Sequence, residues 1–189
     1  MTAAEKLPFT AQDFLDWERQ QPTKHEYVQG ETFAMAGAGD AHVTISGNVF
    51  AALKQHLRGT PCRTYIADMK VHVQAVDAFF YPDVFVTCSP ADAARNEAKE
   101  EPTLVVEVLS PSTAAYDRGL KFEYYRTLPS LQEYALIDTE RASVEVFRRN
   151  PAGQWVLHPF GRQADVELAS VGLTLPMATV YEDVAFPAP

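Results

Sequence analysis

Cysteine is nearly absent from the chain. Cys62 and Cys88 are its two cysteines, with no CxxC pair and no histidines at finger spacing, so a structural zinc module is excluded and two buried, reduced thiols are expected. Long apolar runs are also missing: no stretch approaches the roughly 18 residues that a membrane span requires. The N-terminus has no basic segment leading into an apolar signal core, so no membrane association and a cytoplasmic location are expected. Positive charge is scarce. Against 25 Asp and Glu there are 16 Lys and Arg, for a net charge of −9, which weighs against easy phosphate binding because that affinity comes largely from basic side chains. Lys54, Arg58, Arg63 and Lys70 lie close enough in sequence to build a local basic face. Repeats and low-complexity linkers are lacking as well, and 189 residues that are 47% hydrophobic and 22% charged suit one domain spanning residues 1–189.

Local patterns place the elements. Thr10-Ala11-Gln12-Asp13 ahead of Phe14, Leu15 and Trp17 reads as a capped helix start, closed by Pro22. Residues 25–28 and 31–35 flank Gln29-Gly30 as a hairpin. Asp40 can cap a longer helix on which Ile45, Val49, Leu53 and Leu57 recur every fourth residue, ending by Gly59. Strands are expected over 63–67, 69–76, 84–88 and 103–109, with 91–101 a surface helix or loop. Ser112 or Thr113 caps a helix running to Leu128-Pro129, and a crossover then leads to a parallel strand over 134–137. A hairpin over 143–149 and 154–158 turns at Asn150-Pro151-Ala152-Gly153.

One carboxylate stands out. Glu107 lies inside Leu104-Val105-Val106-Glu107-Val108-Leu109, a run that reads as a strand buried on both faces, where an ionised side chain costs several kcal/mol unless it is compensated. Asp83 follows Pro82 at the mouth of another strand-like run. Two carboxylates converging from neighbouring strands can hold a hard divalent ion such as Mg²⁺, which binds through one or two carboxylates and leaves the remaining positions to water and phosphate. The structural alternatives are a strand-entry aspartate bonding backbone amides and a buried Glu107 ion pair, the latter seldom a gain over apolar packing. Ser110 and Ser112 flank Pro111 before a helix and lack a GxSxG frame, so capping explains them better than nucleophilic catalysis. A glycosidase built on the two carboxylates would need a cleft rich in exposed aromatics, and Trp17 and Trp155 lie in segments that read as structural.

The ordered set Phe80-Tyr81-Pro82-Asp83-Val84-Phe85-Val86, Val105-Val106-Glu107-Val108-Leu109-Ser110-Pro111-Ser112-Thr113, Asp117-Arg118-Gly119-Leu120-Lys121 and Glu133-Tyr134-Ala135-Leu136-Ile137-Asp138 resembles a prokaryotic family described as putative restriction endonucleases, within the PD-(D/E)XK nuclease superfamily. The resemblance runs from about residue 9 to beyond 148. It implies an α/β fold with a restriction-endonuclease-like core, a central mixed β-sheet flanked by helices, and an N-terminal helix and hairpin. It also implies metal-dependent hydrolysis of phosphodiester bonds, with DNA as partner and Mg²⁺ as cofactor, Mn²⁺ substituting. The superfamily's lysine two residues after the second acid is Leu109 here. In the family resembled, that role moves to the following helix, where Lys121 matches.

The implied catalytic set is therefore Asp83, Glu107 and Lys121, with Asp83, Glu107 and the Val108 carbonyl as metal ligands. Glu26 matches a glutamate that approaches the metal site in that family, the alternative being a solvated hairpin charge. Asp68 is a further acidic neighbour or a turn aspartate. His42 is a phosphate contact or a capping residue. Lys121 has its own alternative, an exposed ion pair with Asp117 one helical turn before it. Against the nuclease stands a non-catalytic binding or regulatory module on the same fold, which the acidic charge favours. A homodimer is expected from the apolar residues of the 184–189 tail and of the hairpin that begins at Ser143.

Overall fold

The computed structural model describes residues 9–186. Helix α1 (Ala11–Glu18) opens on a reciprocal capping box: the Thr10 hydroxyl accepts from the Asp13 amide while the Asp13 carboxylate accepts from the Thr10 amide. The hairpin β1 (His25–Val28) and β2 (Glu31–Ala34) follows. Its turn residues Gln29 and Gly30 both take positive φ, 50° and 91°, as a tight hairpin turn matched to strand twist requires. Helix α2 (Asp40–His56) buries Ile45, Val49 and Leu53. Gly39, not Asp40, is its N-cap, and Asp40 sits in the first turn, where a negative charge complements the helix dipole.

Strands β3 (Arg63–Ile66), β4 (Lys70–Val73), β5 (Ala78–Phe80) and β6 (Val84–Thr87) come next, then the short α3 (Pro90–Ala94), β7 (Ala98–Lys99) and the long β8 (Pro102–Leu109). A helical run is built from α4 (Ala114–Tyr116), one π turn (Asp117–Lys121) and α5 (Phe122–Tyr125). The chain finishes with β9 (Glu133–Asp138), β10 (Ser143–Arg149), β11 (Trp155–Gly161), β12 (Val166–Leu168), β13 (Leu173–Leu175) and α6 (Met177–Val180).

The strands form two mixed sheets and a small hairpin. The six-stranded sheet runs β11-β10-β9-β8-β6-β3 and the five-stranded sheet β2-β1-β5-β4-β7. In the first, β8 and β9 are parallel, joined by the helical crossover, and the other pairs are antiparallel. Alternation along β6 and β8 splits the core. Val84, Val86, Val106 and Val108 face α2 and α6, whereas Phe85, Val105 and Leu109 meet the five-stranded sheet and α5.

Several expectations change here. Cys62 and Cys88 form a disulfide rather than two free thiols. They extend the β3–β6 pairing by one residue beyond Arg63 and Thr87, which brings their side chains together across the strands. Residues 91–101 are neither a plain surface helix nor a loop. Asp92 is wholly buried there, accepting from the Thr87 hydroxyl and from the amides of Glu100 and Glu101. The strand expected over 69–76 ends at Val73, because a 3₁₀ turn at Gln74–Val76 leads into β5. Val184 and Phe186 pack on the α2 side of the core, so this part of the tail buries its apolar surface within its own chain; residues 187–189 lie outside the described segment. Val156 and Leu157 on β11 remain exposed. Among the described residues, no helix is long and apolar enough to cross a membrane.

Candidate active site

The antiparallel pairing of β6 with β8 sets Val84 opposite Val106, and one residue further it sets Asp83 opposite Glu107 on the same face. Backbone bonds fix the pair. The Val108 amide donates to Asp83 Oδ2 at 2.7 Å, and the Asp83 amide donates to Glu107 Oε2 at 3.4 Å. The bland role proposed for Asp83, accepting from a backbone amide, is therefore real, and it also orients the carboxylate. From the first turn of α2, His42 Nε2 comes within 3.2 Å of Asp83 Oδ2.

Lys121 arrives from the crossover helix. It is 5% exposed, and its ammonium lies 2.9 Å from Glu26 Oε1, 3.0 Å from Glu107 Oε1 and 3.6 Å from Asp117 Oδ1. The exposed Asp117–Lys121 pair is thus corrected: both residues are buried, because the π turn carries them inward together. Glu26 also belongs to the cluster. Asp68 does not; it is strongly exposed and pairs with Lys24 at 2.6 Å. Of the four residues of the possible basic face, Lys70 lines the cleft and Lys54, Arg58 and Arg63 do not.

The electrostatics are lopsided. One buried ammonium faces Glu26, Glu107 and Asp117, with Asp83 beside them. Burial pushes the Glu107 carboxyl well above its ordinary value; Lys121 opposes this, and Asp83, Asp117 and Glu26 reinforce it. Burial would pull Lys121 down, yet Glu107 and Glu26 hold it well above the usual lysine value. Burial likewise raises Asp117 against the pull of Lys121. For His42 burial acts downward, and the hydrogen bond and charge of Asp83, with the Val108 backbone, reverse it to a net rise. These directions share one origin. Lys121 stays protonated amid surplus negative charge, and a further cation would relieve the surplus.

The donor set fits a hard divalent ion. Glu26 Oε1 and Glu107 Oε1 are buried without a directed hydrogen bond among the described residues, although both lie within ion-pair range of Lys121. Within the same residues, no three His, Cys, Asp or Glu side chains are grouped to chelate an ion unaided. Two carboxylates and a backbone carbonyl, with the balance left to water and phosphate, suit Mg²⁺ and not Zn²⁺. The group opens into a cleft of about 1540 Å³ whose walls include β2, the start of α2 and the π turn.

Comparison with known proteins agrees with this architecture. Residues 11–178 match the Uma2 family, described as putative restriction endonuclease, and the chain belongs to that family. Two Synechocystis proteins are similar over nearly their whole length. Uncharacterized protein slr1290 is 37% identical over 93% of this chain and 92% of its own, and uncharacterized protein sll1609 is 34% identical over 89% and 97%. A crystal structure from Anabaena variabilis, titled as a putative nuclease belonging to DUF820, superposes with a TM-score of 0.74 at 20% identity, covering 92% of this chain and 97% of that one. The fold is thus restriction-endonuclease-like, and the family supports a nuclease.

Sequence reasoning left Asp117 out of the site. Its spacing from Lys121 was visible, but four residues apart on an ordinary helix reads as a surface pair. The π turn has no compositional signature beyond Gly119.

Proposed function

We propose that this protein is a metal-dependent endonuclease that hydrolyses phosphodiester bonds of DNA. The observation that carries the reading is the Lys121 ammonium held between Glu26 and Glu107 beside the braced Asp83. Asp83, Glu107 and the Val108 carbonyl would hold Mg²⁺, or Mn²⁺ in its place. When bound, the ion supplies a water of lowered pKa and neutralises charge on the phosphoryl oxygens. Lys121 donates hydrogen bonds to the attacking water or to a phosphoryl oxygen, acting where negative charge builds in the transition state. Glu26 fixes the direction of the Lys121 side chain, so it is a positioning residue. His42 restrains Asp83 from the α2 side at 3.2 Å, and the hydrogen bond and charge of Asp83 act to raise its pKa against the effect of burial.

The test incubates plasmid and single-stranded DNA with wild type, Glu107→Gln and Lys121→Ala in Mg²⁺, in Mn²⁺ and in EDTA, with calorimetric titration of Mn²⁺ alongside. Cleavage by wild type in Mg²⁺ or Mn²⁺ and its loss in EDTA and in both variants is the expected result. The net charge of −9 favours a second reading, a regulatory module that binds without cutting. Wild type that takes up Mn²⁺ yet cuts neither DNA would establish that reading and refute the nuclease.

A further inference from the structure

We infer that the cleft accepts a nucleic-acid strand whose bases are unpaired, and that Phe33 is the platform on which a base stacks. The inference rests on the nuclease reading and narrows its substrate. Phe33 pairs with Glu26 across the β1–β2 hairpin, and directly paired residues project from the same face of a sheet. Phe33 therefore stands beside the carboxylate that touches Lys121. Nothing covers it. It is 50% exposed, Val43 60% and Leu120 45%. These are three of the five large apolar side chains that the described residues leave exposed, and all three line this cleft. Tyr116 and Tyr124 line it from the crossover helix as well.

The cationic side of the cleft is thin. Arg19 is tied to Asp16 and Glu97, Lys24 to Asp68, and Lys121 to its carboxylates. Lys70, lying over the Tyr81 ring at 5.1 Å, has no carboxylate within ion-pair distance among the described residues. One free ammonium, with Lys24 on the same ring at 5.7 Å, can meet one or two phosphates. Proteins that hold a duplex through its backbone neutralise several more. Affinity here must come from another source, and base stacking on aromatic side chains supplies it for strands whose bases are free to turn outward. The ammonium of Lys70 and the ring of Phe33, both lining the cleft, supply the two kinds of contact, one to phosphate and one to base, that such a strand offers.

The experiment measures binding to wild type in EDTA, where no cleavage occurs, by fluorescence anisotropy with a labelled single-stranded oligonucleotide and its duplex. Cleavage of the same two probes is then scored in Mg²⁺ and Mn²⁺. Single strand should bind at least about tenfold more tightly than duplex, and Phe33→Ala should lose that advantage while Phe33→Trp keeps it. The salt dependence of single-strand binding should correspond to about one or two phosphates, a slope near −0.7 for each. Duplex bound and cut as well as single strand, or unchanged single-strand binding by Phe33→Ala, would overturn the inference and leave the nuclease reading standing. Neither probe bound nor cut would overturn both. A Phe33→Ala protein whose light-scattering mass falls from dimer to monomer with nucleic-acid binding intact would assign the rim to a second copy of the chain and also overturn it.

Discussion

Two glutamates are buried on neighbouring parallel strands, Glu107 in β8 and Glu133 in β9, and they are treated in opposite ways. Glu133 is fully enclosed and fully satisfied: Arg148 Nε lies 2.7 Å from Oε1, and the amides of Ala169 and Ser170 donate at 3.1 and 2.8 Å. Glu107 is 3% exposed, yet among the described residues its Oε1 has no directed hydrogen bond, and it shares one ammonium with two other carboxylates. A buried charge with its own cation and amides is a fastener. One left short of partners among like charges adds no comparable fastening, and it is the carboxylate that the proposed function uses as a metal ligand.

The largest expected effect separates them by activity. Glu107→Gln should lower cleavage by about 10³-fold or more, since it removes a proposed metal ligand, while the melting temperature holds or rises. Glu133→Gln should do the reverse. Weakening the bonds of the enclosed carboxylate to Arg148 and to the Ala169 and Ser170 amides should cost about 2–3 kcal/mol even though Glu167 still pairs with Arg148, a fall of roughly 5–10 °C in a domain of this size, with cleavage per folded molecule unchanged. Thermal melts read beside initial rates check both, and similar profiles for the two variants would dissolve the contrast.

Lys121→Ala should sharpen it. With the ammonium gone, Glu26, Glu107 and Asp117 face one another, so the chelated variant should be less stable than wild type by about 2–3 kcal/mol and should recover part of that loss when Mg²⁺ is added. Cleavage should fall by about 10²-fold or more. An unchanged melt in EDTA would mean that the ammonium does not compensate the cluster.

The smallest effect is a slope with pH. In metal-free wild type the Glu107 carboxyl titrates well above its ordinary value of 4.5, so in that window the folded protein retains a proton that the unfolded chain has released. Stability is therefore greatest on the acid side and declines as pH climbs from the ordinary value through the raised one. Urea midpoints from mildly acidic to neutral pH should show this decline in wild type, and Glu107→Gln should flatten it.

Much of this was legible before any coordinates. Periodicity at Ile45, Val49, Leu53 and Leu57 located α2, and a charge inside a Val and Leu run singled out Glu107, because burial and ionisation conflict visibly in one dimension. Asp83, Glu107, Glu26, His42 and Lys121 do meet in the fold. What could not be read depends on pairings between distant segments. Glu133 occupies a run much like that of Glu107, and its distinguishing partners lie 15 to 37 residues downstream. Asp68 takes the turn reading, strongly exposed and paired with Lys24. The joining of Cys62 to Cys88 required the β3–β6 register, and the depth of Asp117 required a helix out of regular phase.

That irregular turn has a geometric consequence. A π turn places one extra residue in a helical circuit, so the segment before it is rotated by about 100° relative to the segment after it. Phe122 and Tyr125 can then keep the phase that fills the core, while Asp117 and Lys121 keep another that addresses the carboxylates. The crossover helix thus gives two inward faces to two different neighbours. Removing the single extra residue, as by deletion of Gly119, would return the helix to one phase and turn Asp117 away from the cluster with no change of side-chain chemistry. Chain length within this turn, as much as the identity of Asp117 and Lys121, therefore sets the composition of the site.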